Sequence, residues 1–204
     1  MVKLKNIPGL SALHGIAATS SPTPDGSSGA VTVIDHGVTD KVNLRTKDDN
    51  AVILKAIKRV VGVDLPVAYN SFHEAGTRAC VWLGPDEWLI LGENGASDDI
   101  IAELDIAEAG HVAVTEVSDA YGMVTVKGTH VRDALAKHCA LDLHVSAFTN
   151  GMCAQTFLAH AGVILLCQGD DKFMVIGRTS FMGYIFDLLE DAALEYGFNY
   201  IPAG

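Results

Sequence analysis

Two seven-residue segments constrain this chain more than any other feature. Asp86–Gly92 reads DEWLILG and Asp171–Gly177 reads DKFMVIG, an offset of 85 residues. Each opens on a turn-forming acid, continues as an apolar run of strand length and stops at glycine. Leu44 and Val126 take matching places about 80 residues apart. The duplication lies in element order more than in identity, and it predicts a fold built from two like units.

The order of elements follows from periodicity. Val31–Ile34 and Val42–Thr46 read as strands around a turn at Asp35–Lys41. Asp48–Val61 reads as a helix, with Ile53, Ala56, Ile57, Val60 and Val61 at helical spacing, acids at its start and Gly62 as its stop. Cys80–Leu83 and Glu87–Leu91 read as strands around Gly84-Pro85-Asp86, and Ser97–Ala109 as a helix capped by Ser97. The second half repeats this. His111–Val117 and Gly122–Lys127 read as strands, Thr129 as the cap of a helix with Val131, Ala134, Leu135 and His138 on one face. Cys153–His160, Val163–Gln168 and Phe173–Gly177 read as strands. Ser180–Tyr196 reads as a closing helix, with Phe181, Ile185, Leu188, Leu189 and Ala192 facing inward and Gly197 as its stop. The expected class is α+β, a duplicated strand–strand–helix–strands–helix unit. Residues 1–29 read as an N-terminal arm and a Ser/Pro/Gly-rich linker, the arm packing on this chain or on a neighbour. Residues 30–204 read as one α+β domain of two pseudo-symmetric halves, about 30–110 and 111–200.

Composition narrows the class of partner. The chain has 204 residues, 49% of them apolar before its 20 glycines are counted, and only 19% charged. Disorder and fibrous structure are excluded. The net charge of -11 opposes binding to a nucleic-acid backbone or an acidic lipid surface. The apolar surplus predicts that another chain covers part of the surface. The longest apolar run, near Ala159–Cys167, is too short to span a bilayer. Lys3 and Lys5 precede Ile7–Ala18, but Pro8, His14 and the glycine and serine interruptions make that stretch a poor signal peptide. Cys80, Cys139, Cys153 and Cys167 lie 59, 14 and 14 residues apart, which matches no zinc or redox motif. Reduced, mostly buried thiols in a cytoplasmic protein are expected.

Signatures of phosphate loops, dinucleotide loops, nucleophile elbows and zinc proteases are absent from the sequence. His138, Cys139 and His144 come nearest to a metal cluster, but adjacent helical residues point about 100° apart. Asp170-Asp171 after Gly169 reads as a hairpin turn, and Glu116, Ser118 and Asp119 as a strand end. More informative are Trp82, Asp86, Glu87 and Trp88, where two tryptophans flank a tight turn. One or both belong to the core, or they anchor a partner. Arg178, at the entry to the last helix, either binds a carboxylate or phosphate or pairs with an acid of this chain or a partner.

Val81–Leu91 (VWLGPDEWLIL), Val114–Ala120 (VTEVSDA), Val131–Leu143 (VRDALAKHCALDL), Phe148–Thr156 (FTNGMCAQT) and Arg178–Leu189 (RTSFMGYIFDLL) together resemble the gamma subunits of heterotetrameric sarcosine oxidases, in order, over roughly residues 31–200. The resemblance implies the folate-binding aminomethyltransferase-like fold of the glycine-cleavage T-protein. It further implies a complex that oxidatively demethylates sarcosine to glycine, giving hydrogen peroxide and either formaldehyde or methylenetetrahydrofolate. FAD, FMN, NAD and tetrahydrofolate are then expected on alpha and beta subunits, zinc on a delta subunit, and no cofactor, metal or catalytic residue on the gamma chain, which packs mainly against alpha. T-protein-like enzymes carry a G-G-I-x-D-D stretch. The matching stretch here is Gly162-Val163-Ile164-Leu165-Leu166, with leucines in place of the acids. An alkyl chain cannot supply the carboxylate that engages an amine. Three functions follow. The first is a non-catalytic structural subunit whose partner interface includes Trp82, Asp86, Glu87, Trp88 and Arg178. The second is a stand-alone folate-binding or folate-dependent protein using Arg178 or Glu116. The third is the same kind of subunit in a complex acting on another N-methylated amino acid.

Overall fold

A computed structural model describes residues 9–23, 31–106 and 109–204. Twelve strands and four α-helices appear among them, in the order β1 (Thr19–Ser21), β2 (Val31–Asp35), β3 (Asp40–Arg45), α1 (Ala51–Val60), β4 (Phe72–Ala75), β5 (Arg78–Gly84), β6 (Glu87–Gly92), α2 (Ser97–Leu104), β7 (Ala113–Glu116), β8 (Tyr121–Lys127), α3 (Val131–Ala136), β9 (Cys153–Leu158), β10 (Ala161–Gly169), β11 (Lys172–Arg178), α4 (Met182–Ala193) and β12 (Phe198–Ile201). One sheet runs β4-β5-β6-β3-β7 and the other β1-β12-β2-β8-β11-β10-β9. The two orders are the same pattern with one strand exchanged. β4-β5-β6-β3 corresponds to β9-β10-β11-β8, but β2 of the first unit completes the second sheet and β7 of the second unit completes the first. DEWLILG and DKFMVIG are β6 and β11, the matching strands of the two sheets.

Strand alternation divides the apolar residues into three layers. Val42, Leu44, Cys80, Trp88 and Ile90 face α1 and α2. Val124, Val126, Leu165, Phe173 and Val175 face α3 and α4. The opposite faces, with Val81, Leu89 and Leu91 on one sheet and Ile164, Leu166, Met174 and Ile176 on the other, meet each other. The layers therefore stack helix, sheet, sheet, helix.

The glycines that end the two repeats have a shared cause. A Cβ on Gly92 would lie 3.1 Å from Cδ1 of Ile100 in α2, and one on Gly177 only 2.4 Å from Cδ1 of Ile185 in α4. In both units the isoleucine eight residues after the glycine packs on the bare end of the strand. Gly122 stands opposite Gly177 on β8 and leaves similar room for Met182.

Several sequence expectations are corrected. α1 starts at Ala51 rather than Asp48, so Asp48 and Asp49 precede it, and Asn50 caps it by accepting from the Ile53 N–H. Ser97 lies inside α2 and not at its cap. The Asp40 carboxylate accepts from the N–H groups of Gly95 (3.0 Å) and Ser97 (2.7 Å), so a distant strand caps this helix. α2 stops at Leu104, and residues 107–108 of the expected helix lie outside the described residues. α3 ends at Ala136 and starts after His130 rather than Thr129, which leaves His138 beyond it. α4 is two residues shorter than expected at its start and three at its end. Phe181 precedes it and is 41% exposed, while Met182 and Phe186 join the inward face. The edge strands β1 and β4 and the inner strand β12 carry no strong sequence signal. β1 uses the first three residues of the stretch read as linker, pairing antiparallel with β12. The remainder of that linker past residue 23, the boundary at residue 30 and residues 1–8 lie outside the described residues. The arm packs on its own chain, since Leu13 is buried in the α3/α4 layer and Ser11 donates to Asp35.

Adding a methyl group at Gly177 tests the strand–helix contact. Gly177→Ala is expected to cost about 1–3 kcal/mol in urea unfolding. In the Ile185→Val background, which removes Cδ1, the cost should fall well below that. Equal costs in both backgrounds would show that the contact does not set the residue.

Candidate functional site

Two clefts open at opposite ends of the layer between the sheets. The first has a volume of 330 Å³ and an apolar floor of Leu89, Ile164 and Ile176, with Asn43, Glu87, Gln155 and Arg178 among its polar groups. Alternation on β6 puts Glu87 on the same face as Leu89, and the end of β11 carries Arg178 to the opposite wall. Asn43 Nδ2 donates to Glu87 Oε1 at 2.8 Å, and Arg45 reaches the other oxygen at 3.4 Å. Gln155 donates to the Leu83 carbonyl at 2.8 Å. Arg178 is exposed and has no ion-pair partner among the described residues.

The five residues expected to form a partner surface do not share one. Trp88 is fully buried between its sheet and α1, with its indole N–H donating to the Pro66 carbonyl at 2.8 Å. Trp88 therefore cannot anchor a partner, and the core alternative is the correct one for it. Trp82 lies on the same outer face, partly buried, with its ring 5.6 Å from that of the exposed Tyr69. Asp86 sits at the hairpin tip and binds Arg45 at 2.9 Å, which holds its carboxyl below the ordinary range. Only Glu87 and Arg178 line the same cleft. A period of two separates Trp88 from Glu87, so a contiguous motif was bound to split across the sheet.

The second cleft has a volume of 320 Å³. Leu91, Met123 and Met174 form its apolar surface, and His36, Glu74, Arg78, Glu93, Gln168 and Lys172 surround it. His36 Nε2 pairs with the Thr125 hydroxyl at 2.8 Å, and burial pushes its imidazole below the ordinary value. Gln168 Nε2 donates to Glu74 at 2.6 Å, a bond that joins the two sheets. Sequence reasoning missed all of these groups. Alternation on β10 and β11 would have placed Gln168 and Lys172 on the face of Leu166 and Met174. Nothing local shows that β4 and β5 come to lie opposite.

Other residues singled out from the sequence stay apart from both clefts. Gly169-Asp170-Asp171 makes the β10–β11 turn. Glu116 accepts from Ser118 at 3.2 Å. Cys139 is buried, while His144 is exposed and bonded to Ser146. Among the described residues no group of three or more His, Cys, Asp or Glu is placed to hold a metal. All four cysteines are free and buried, and burial pushes the Cys153 thiol up to about 12. None of the described helices is long and apolar enough to cross a membrane.

The stretch matched to the G-G-I-x-D-D of T-protein-like enzymes is in β10. Leu165 faces the α3/α4 layer and Leu166 the inter-sheet layer, both fully buried. Neither leucine lines the first cleft, which reaches this strand only at Gly162, Val163 and Ile164. Its Glu87 is already engaged by Asn43 and Arg45. The alkyl side chains of Leu165 and Leu166 cannot supply the carboxylates of that stretch.

The two-sheet architecture is that of the folate-binding aminomethyltransferases. The structure superimposes on the glycine cleavage system aminomethyltransferase T from Bartonella henselae with a TM-score of 0.62, at 9% identity, over 90% of this chain and 55% of that one. The model of the sarcosine oxidase, gamma subunit family matches residues 45–195, and the chain belongs to that family. It is 33% identical over 146 residues to the sarcosine oxidase subunit gamma of Corynebacterium sp. (strain P-1), covering 69% of this chain and 70% of the relative. To the Arthrobacter sp. subunit gamma it is 29% identical over 173 residues, 83% of each chain. Against the heterotetrameric sarcosine oxidase from Corynebacterium sp. U-96 in complex with pyrrole 2-carboxylate the TM-score is 0.72, at 27% identity, over 81% of this chain and 85% of that one.

Thr39, on the wall of the second cleft, is held by a buried lysine. Lys41 is 1% exposed, and its Nζ donates to the Thr39 carbonyl (2.8 Å) and hydroxyl (2.7 Å). Burial pushes its pKa down to about 8, against the opposing pull of Asp40 and Asp119. The unfolded chain keeps this proton to about pH 10.4 and the folded chain only to about 8. Unfolded protein thus binds more protons in that window, and the Lys41 penalty is complete below pH 8 and fades as pH rises. Lys41→Met is expected to stabilise the protein at pH 7 by about 1–4 kcal/mol, with the gain shrinking toward pH 10.5. Chemical denaturation of both proteins across that range checks this, and a gain independent of pH would refute the assignment.

Proposed function

We propose that this chain is a non-catalytic structural subunit of a heterotetrameric sarcosine oxidase, in main contact with the alpha subunit and assembled with beta and delta subunits. One observation carries the structural role. The positions matched to catalytic acids hold Leu165 and Leu166, both sealed in apolar layers. FAD, FMN, NAD, tetrahydrofolate and zinc then belong to the partner subunits. The complex oxidatively demethylates sarcosine to glycine, with hydrogen peroxide and formaldehyde or methylenetetrahydrofolate as the other products, in the cytoplasm.

The docking face in this reading is the mouth of the first cleft. Arg178 offers an unpaired guanidinium there. Phe157, 63% exposed, lines the same cleft, and Phe181 and Tyr184 follow Arg178 with their rings 6.4 Å apart. Exposed aromatics beside an unpaired arginine are the typical composition of an interface anchor. The partner surface they fit is apolar with a carboxylate.

Affinity purification of the tagged chain from its native host tests the assembly. Alpha-, beta- and delta-type chains and a flavin spectrum are expected to come with it. A lone colourless band would reject the subunit reading. With the complex in hand, Arg178→Glu should weaken assembly at least tenfold without changing the melting temperature, whereas Tyr69→Ser on the outer face should leave it unchanged. Normal assembly of the Arg178 variant would move the interface away from the cleft.

A further inference from the structure

The second cleft has a polarity that its own contacts leave incomplete. Gln168 donates its amide to Glu74, which fixes the orientation of the side chain, because a carboxylate only accepts. Its Oε1 is thereby turned away from Glu74, is shielded from solvent and meets no donor among the described residues. A shielded amide oxygen without a donor is costly. Lys172 stands across the β10–β11 bulge, where it pairs in register with Gly169, and its ammonium has no acidic partner among the described residues. Arg78 and Glu93 neutralise each other at 2.6 Å and offer no net charge. His36 is engaged with Thr125. What remains is one carboxylate, one cation without an acidic partner among the described residues, and an apolar surface between the sheets.

A lone anion in this cleft would meet Glu74, and a lone cation would meet Lys172. A ligand carrying both charges satisfies both. The volume of 320 Å³ lies at the lower end of ligand pockets, which begin at about 300 Å³, and suits one small metabolite better than a peptide. We propose that the second cleft binds a free α-amino acid with an apolar side chain. Its ammonium donates to Glu74, its carboxylate meets Lys172, and its side chain lies on Leu91, Met123 and Met174. The site is separate from the first cleft, since the two open at opposite ends of the inter-sheet layer, and it stands whether or not the chain docks through Arg178.

Isothermal titration of the full chain, together with whatever subunits co-purify, tests this with three probes. L-leucine carries both charges, 4-methylpentanoate lacks the ammonium, and isoamylamine lacks the carboxylate. Leucine is expected to bind saturably and each half-ligand at least tenfold more weakly. Lys172→Met should reduce leucine to the level of isoamylamine and leave isoamylamine unchanged. Glu74→Gln should reduce leucine to the level of 4-methylpentanoate. Both side chains lie at the surface, and an unchanged melting temperature would confirm intact folding. No saturable heat with leucine at millimolar concentration would overturn the proposal. So would leucine binding that neither substitution alters, because that would place the site on another surface or another subunit.

Discussion

Phe72, Val81, Leu89 and Leu91 of one sheet press against Ile164, Leu166, Met174 and Ile176 of the other, and the remainder of the molecule is arranged around that contact. Each sheet has a helix pair on its outer face and only the other sheet for its inner one. The exchange of β2 and β7 strengthens the dependence. Neither sheet is complete without a strand from the other unit, so the backbone hydrogen bonds of β3 and β8 tie the two units as firmly as the apolar layer does. Contacts of this kind are distant in sequence, which makes the chain slow to find its fold and cooperative once it has. The two clefts are a by-product of the same geometry. Twisted sheets facing each other diverge toward their corners, and the apolar layer gives way there to residues that alternate onto the inner face at strand ends.

How tightly each helix pair covers its sheet depends on small residues at the strand ends. Gly92 and Gly177 let Ile100 and Ile185 come down onto the backbone. Asp40 then anchors α2 from the neighbouring strand by accepting two N–H bonds at its N-terminus, where the helix dipole also favours a carboxylate. The second unit has no such arrangement at α4, which begins instead with a 3-10 turn at Thr179–Phe181. The duplication thus keeps what packing requires and varies what capping allows.

This distinction explains how much of the fold could be read from the sequence. Strands buried on both faces, such as β6, β10 and β11, show as uninterrupted apolar runs and were legible as strands. The pairing of DEWLILG with DKFMVIG was legible for the same reason. Of the four edge strands, β7 and β9 were legible and two were not. β4 (FHEA) and β1 (TSS) are held by hydrogen bonds to one neighbour and carry no apolar pattern to reveal them. Helix starts were misplaced where the cap is non-local, as with Asp40 and α2. The candidate surface suffered most. Trp82, Asp86, Glu87 and Trp88 are adjacent in sequence, but alternation sends Trp88 to the helix side and Glu87 to the first cleft. Gln168 and Lys172 gave no signal, because their meaning depends on Glu74 arriving from the other sheet.

The leucines of β10 tie these points to function. Leu165 and Leu166 face opposite sides of one strand, so they belong to two different apolar layers, and both are fully buried. Acids at these two positions would have to be supported by polar partners in both layers, since a buried carboxylate without them is costly or is driven to its neutral form. The surrounding residues, Val163 and Ile164 on the same strand and Val175 and Ile176 beside them, offer none. β10, one strand in from the edge of its sheet, is therefore committed to packing at these two positions. Among the described residues, the polar groups that line the inter-sheet clefts gather at the two ends of that layer. The partner contact proposed at one end and the small-ligand site proposed at the other both draw on these groups.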